Sequence, residues 1–180
     1  MDYDRGYAIR LYGDPILRKE AASVSDVSDD VRALADGMVK TMRREEGVGL
    51  SAPQVGALLR LIVVASDPDD EHSDPIALVN PVVEGKSSDE WEAEEGCLSI
   101  PDVYADITRP ERITVQALDL SGEPASMEAD GWSARVLLHE IDHLNGVLFI
   151  DHLGHLRRAR LRGQLNRLAR LPREGMEGLG

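Results

Sequence analysis

His139-Glu140-Ile141-Asp142-His143 stands inside an apolar run that spans 132–144. On a helix, residues four apart share a face, so the two imidazoles can close on one metal ion. Glu140, one step round from His139, can reach a water on such an ion and take its proton. A catalytic metal needs a third protein ligand and one open position. The metzincin extension is excluded, because after Gly146 it requires His where Phe149 stands. Five other residues remain. His152 and His155 follow the helix closely, and Glu174 and Glu177 lie near the end of the chain. Upstream, Glu94-Glu95-Gly96-Cys97-Leu98-Ser99-Ile100-Pro101 carries the chain's single thiol. A thiolate with two imidazoles makes a three-ligand site with room for solvent. The plainer alternative is a pair of hydrogen-bonded core histidines and a small buried cysteine.

Several elements must position these groups. Trp132, Val136, His139 and His143 fall on one helical face, while Leu137, Leu138, Ile141 and Leu144 point elsewhere. A helix apolar nearly all round belongs at the centre of a fold. Asp130 or Gly131 opens it and Gly146 follows as a left-handed cap. An N-terminal helix starts after Ser28, with Asp29 and Asp30 in its first turn, and ends near Glu46-Gly47. Strands are expected over 9–11, 58–65, 76–83, 91–100, 103–107, 112–120 and 125–129, a short apolar exit over 147–150, and a last helix over 156–171. The order favours an α+β fold: antiparallel or mixed β-sheets packed around the central HExxH helix, with an N-terminal and a C-terminal helix.

Between the first helix and the strands runs Gly47-Val48-Gly49-Leu50-Ser51-Ala52-Pro53-Gln54-Val55-Gly56. Its glycines imitate a dinucleotide fingerprint, but that loop must follow a strand and open a helix. Here the glycines instead permit the backbone to approach something closely.

With 180 residues, 42% hydrophobic and 29% charged, the chain reads as one globular domain over 1–180, with 173–180 a disordered tail. No window holds the roughly 18 apolar residues of a membrane helix. The polar N-terminus (Met1-Asp2-Tyr3-Asp4-Arg5) is not a signal peptide, so a cytoplasmic monomer is expected. One cysteine rules out an intrachain disulfide. A net charge of −13 argues against DNA as partner. The charge is uneven: residues 151–173 hold seven Arg against one Asp.

The stretch from Gly47 to Gln54, Glu95-Gly96-Cys97-Leu98-Ser99 and His139-Glu140-Ile141-Asp142-His143 resemble, in order, the three motifs of the peptide deformylase family. Gly13-Asp14-Pro15-Ile16-Leu17-Arg18 resembles its N-terminal segment, so the likeness covers about residues 9–170. Ser51 departs from the family's usual alanine, and Tyr104 stands where some bacterial members have Arg.

The resemblance implies a hydrolase that removes the formyl group from the N-terminal formylmethionine of newly made polypeptides, releasing formate. It implies Cys97, His139 and His143 as metal ligands and Glu140 as general base and acid. Gln54 and the Leu98 N–H would receive the oxyanion, and the Gly49 main chain would bind substrate. Methionine needs an apolar slot, for which the Trp132–Val136 face and Val48 are candidate walls; the alternative is that Trp132 is core. The ligand set suits several metals. The family's habit points to Fe²⁺, with Zn²⁺, Ni²⁺ or Co²⁺ possible. A metallopeptidase using His152 or His155, and a silent binding domain of the same ancestry, are the competing readings.

In the last helix, Leu161, Leu165 and Leu168 form a docking stripe. Arg157, Arg158, Arg160, Arg162, Arg167 and Arg170 either form a solvated face or contact ribosomal RNA.

Overall fold

The Ser28 side chain accepts a hydrogen bond from the Val31 N–H and opens α1 (Asp29–Arg44), which carries Arg43 and Arg44 in its last turn. The computed structural model describes residues 6–70 and 73–171. In it β1 (Gly49–Ser51), β2 (Leu61–Ala65) and β3 (Pro75–Lys86) come next. After them, β4 (Glu90–Cys97) and β5 (Ile100–Pro110) form a hairpin of their own. β6 (Arg112–Leu118) and β7 (Pro124–Asp130) complete a five-stranded antiparallel sheet of order β1-β2-β3-β6-β7. Two further helices follow, α2 (Gly131–Leu144) and α3 (His155–Leu168).

Side chains alternate across a strand, and β2 uses both sides. Leu61 and Val63 join the cluster of Leu34, Met38 and Met42 from α1. Ile62 and Val64 join Leu137, Leu138 and Ile141 from α2. With a helix on each face the first four residues of the strand are all buried, which is why Leu-Ile-Val-Val reads as an unbroken apolar run. Each such side chain contributes about 1.5–3 kcal/mol of burial. A third cluster joins Ile100, Val103 and Ile107 of β5 to Phe149, Ile150, Leu153 and Leu165. This last group holds the hairpin and α3 together, with Leu161 and Leu168 packed against it.

The architecture is the α+β arrangement expected, with local differences. Residues 9–11 form no strand: Arg10 N–H donates to the Gln54 carbonyl and Tyr12 N–H to that of Ser99, both at 2.7 Å. Two different partners within three residues leave no continuous ladder. Gly49–Ser51, taken for a loop, is strand β1, paired through Leu50 with Val63. The stretch over 58–60 precedes β2, and the helix and strand ends over 119–120 and 169–171 also lie outside their elements. Pro81 does not break β3; the register shifts between Val79 and Val82 absorb it, with Asn80 at φ 51°. The exit after α2 is a 3-10 turn, Phe149–His152, because the Asp151 carboxylate accepts the Leu148 N–H and closes the chain on itself. Asp130 is the N-cap position of α2 but makes no side-chain cap bond, and Gly146 is left-handed at φ 69°. The expected tail over 173–180, with Glu174 and Glu177, lies outside the described residues.

Candidate metal centre

α2 presents His139 and His143 with ring centroids 5.0 Å apart. β4 ends on Cys97, whose Sγ lies 3.2 Å from His143 Nε2. One ligand atom from each of the three falls within 4.8 Å of the others, and among the described residues this is the only such cluster. Three inward-facing lone-pair donors repel unless a proton or a cation lies between them. His143 Nδ1 and Glu140 Oε2 are buried there without a hydrogen-bond partner. Sulfur and imidazole together suit a divalent ion, so the residues fit one.

Behind His139 stands Glu95, two residues before Cys97. Its buried carboxylate accepts from His139 Nδ1 at 3.1 Å, Arg135 Nη1 at 2.7 Å and Arg109 Nε and Nη2 at 2.9 and 3.0 Å. Burial works against its charge, yet the bonds from His139 and Arg109 hold Glu95 well below the usual carboxylate range. A carboxylate on Nδ1 fixes the tautomer and leaves Nε2 for the site. Arg135 also donates to the carbonyls of Trp91 at 2.6 Å and Ile107 at 2.9 Å, with its guanidinium over the Trp91 ring. Arg109 reaches Asp142 at 2.6 Å, and Asp142 lies 2.7 Å from His152 Nε2. His152 is thus engaged outside the cluster, and His155 stands exposed at the start of α3.

Sequence reasoning assigned no role to Glu95, Arg109, Arg135 or Asp142, and weighed His152 only as an alternative metal ligand, whereas it bonds Asp142 instead. One signal was available: Arg135 interrupts an apolar helix one turn before His139, and a buried charge requires a partner.

The two imidazoles are pushed apart in protonation. Burial drives His143 well below its ordinary value, which keeps it neutral. Burial acts likewise on His139, but hydrogen bonds to Cys97 and Glu95 outweigh it and raise that group. Burial also pushes Glu140 up to about 7, opposed in part by the charge on His139 and by the Ser51 hydroxyl.

Gln54 sits in the 3-10 turn Ala52–Val55 that β1 feeds. Its Oε1 accepts from the Ser51 N–H and hydroxyl, both at 2.9 Å. Its Nε2 is thereby turned toward Cys97 Sγ (3.6 Å) and the Ser99 hydroxyl (3.3 Å). A cleft of about 660 Å³ opens beside this group. Val48, Gly49, Gln54, Leu98, Trp132, Val136, His139 and Glu140 all line it, so the structure brings every sequence-predicted site residue but His143 onto one wall-set, with His143 just behind Cys97. Trp132 is not core: it is 42% exposed, edge-on to Trp91 at 5.3 Å. Tyr104, also on the cleft, is 60% exposed.

The family model for polypeptide deformylase matches residues 7–159. The chain belongs to the polypeptide deformylase family. A peptide deformylase 2 of Gloeobacter violaceus is 47% identical over 81% of this chain and 78% of its own. A peptide deformylase of Alkalilimnicola ehrlichii is 44% identical over 94% of both. Among solved structures, the peptide deformylase of Thermus thermophilus superposes with a TM-score of 0.83 at 39% identity, covering 91% of this chain and 97% of that one. A deformylase from Synechococcus elongatus, in complex with actinonin, gives 0.80 at 41% identity, over 91% and 86%. Deformylases are metal-dependent hydrolases that remove the formyl group from the N-terminal methionine of nascent polypeptides, and this chain is one of them by descent and fold. No helix among the described residues is long and apolar enough to cross a membrane.

Proposed function

We propose that Cys97, His139 and His143 hold one divalent ion and that Glu140 moves the proton in deformylation. What supports this is that the three ligand atoms lie within 4.8 Å of one another, with the Gln54 amide 3.6 Å from Cys97 Sγ and the buried Glu140 carboxylate next to His139 in the chain. The ion would supply Lewis acidity toward water and the formyl oxygen. Glu140, buried and near neutral in its titration, is matched to taking a proton from attacking water and returning it to the leaving amine. The formyl C–N bond breaks, and formate and a free α-amine result. Gln54 Nε2, held facing the cleft, and the Leu98 N–H are the donors for the oxyanion; each such donor is worth roughly 3–4 kcal/mol in comparable sites. The Gly49 main chain would hold the peptide, and Val48, Trp132 and Val136 would wall the methionine side chain.

Fe²⁺ is the metal we assign, with Zn²⁺, Ni²⁺ and Co²⁺ compatible with the same sulfur and nitrogen donors. The enzyme would act in the cytoplasm as a monomer on formylated nascent chains. Its route to them would be α3: Arg160, Arg162, Arg167 and Arg170 are exposed with no ion pair among the described residues, whereas Arg157 pairs with Glu92 and Arg158 with Asp151. An exposed cationic stripe is suited to RNA phosphates.

The deciding experiment is anaerobic formate release from formyl-Met-Ala-Ser, with metal analysis on the same sample. Metal-loaded protein that releases no formate would overturn the proposal.

A further inference from the structure

The chain's two tryptophans meet beside the cleft. Trp132, in the first turn of α2, is half-exposed and lines the cleft. Trp91, near the start of β4, is partly buried and stands behind it, outside the lining. The rings sit edge to face at 79°. Arg135, one turn further along α2, has its guanidinium 4.9 Å from the Trp91 ring centroid and 5.8 Å from that of Trp132. This guanidinium also donates to Glu95 and to the carbonyls of Trp91 and Ile107, so it cannot follow a moving ring. Trp91 is thus held by both its main chain and its ring face. For Trp132, the Gly131 N–H donates to the Glu111 carbonyl at 2.9 Å and holds the main chain, but a half-exposed indole has more than one open rotamer. The contact with Trp91 and Arg135 selects one of them.

We propose that Trp91 is a positioning residue for side-chain selection: by backing Trp132 it fixes one wall of the slot that takes the methionine side chain. The inference rests on the deformylase reading above. Trp91 acts only through Trp132. A wall that holds the side chain equally in the ground and transition states shows its loss in KM rather than in kcat. A side chain too short to reach the wall is indifferent to it.

The test uses the full-length zinc-loaded protein. Trp91→Leu keeps apolar bulk in β4 and removes the ring. It should retain its metal, raise KM for formyl-Met-Ala-Ser about 3- to 10-fold and leave kcat within about twofold. Its kcat/KM for formyl-Ala-Ala-Ser should stay within about twofold of wild type, whereas a general defect lowers both substrates alike. Trp91→Phe keeps a ring edge against Trp132 and should restore KM. In a Trp132→Ala background, Trp91→Leu should cost nothing further, because the wall it backs is gone. A readout independent of activity comes from fluorescence, since both substitutions leave Trp132 as the chain's one tryptophan. Its anisotropy decay should gain a fast component in Trp91→Leu that Trp91→Phe lacks. An unchanged KM, an equal loss on both substrates, an undiminished effect in the Trp132→Ala background, or identical anisotropy decays would each overturn the proposal. Wild-type protein that releases no formate would instead defeat the functional reading, so the two failures are distinguishable.

Discussion

Gly49 and Glu140 touch: a Cβ placed on Gly49 would stand 2.6 Å from Glu140 Oε1 and 2.9 Å from Val136 Cγ1. The close backbone approach that the glycine stretch permits is therefore an approach to the base itself. Gly49→Ala should displace the carboxylate and lower kcat by about 10²-fold, the lower end of what a positioned acid–base group contributes, with metal content unchanged. Wild-type turnover in this variant would show that Glu140 tolerates the shift.

Cys97→Ser removes the one sulfur from the cluster, and metal stoichiometry in the purified protein should collapse. Glu140→Gln should keep its metal and lose about 10²- to 10⁴-fold in turnover. If Cys97→Ser retains its metal, the ligand set is wrong.

Stability of the metal-free protein should depend on pH through Glu140. Its carboxyl is raised from 4.5 to about 7, so the folded state keeps a proton that the unfolded state releases. That contribution is fully present below pH 4.5 and is lost as pH rises through about 7, amounting to about 3 kcal/mol. Glu140→Gln lacks this loss. Urea unfolding of both proteins should therefore show the variant gaining on wild type between pH 5 and pH 8; parallel curves would contradict the shift.

Glu95→Gln leaves the two buried guanidiniums of Arg109 and Arg135 without their shared carboxylate and frees the His139 ring. Breaking a buried ionic group in this way costs about 3–5 kcal/mol. Loss of an outer-shell carboxylate also weakens metal affinity about 10- to 100-fold. Thermal unfolding and competitive chelation measure the two effects separately.

Reversing Arg160, Arg162 and Arg167 to Glu should weaken ribosome co-sedimentation, most visibly at low salt, and leave hydrolysis of a free formyl-peptide intact. Binding that persists at wild-type strength would assign the arginines to solvation of an acidic protein.

The helix with its two histidines was legible because its information is local: spacing, an apolar run, and a glycine at its end. The third donor, Cys97, was legible only as a candidate, since nothing local ties it to residues some forty positions later. β1 escaped notice for a related reason. Gly-Leu-Ser has little intrinsic preference for a strand and becomes one because β2 offers it a ladder. The exit over 147–150 has strand-like residues, yet a single side-chain bond from Asp151 to the Leu148 N–H turns it into a 3-10 turn. The Glu95–Arg109–Arg135 group was hidden in the same way as Cys97: each partner looks like an ordinary charged residue until the hairpin is folded over α2.

The β4–β5 hairpin shares no ladder with the five-stranded sheet, yet it supplies the sulfur while α2 supplies both imidazoles. An ion bound between them would act as a rivet through two separately woven layers. Chelation should then do more than stop turnover: amides of residues 90–110 should exchange with solvent sooner than those of β2 and β3, and a protease should find the hairpin first.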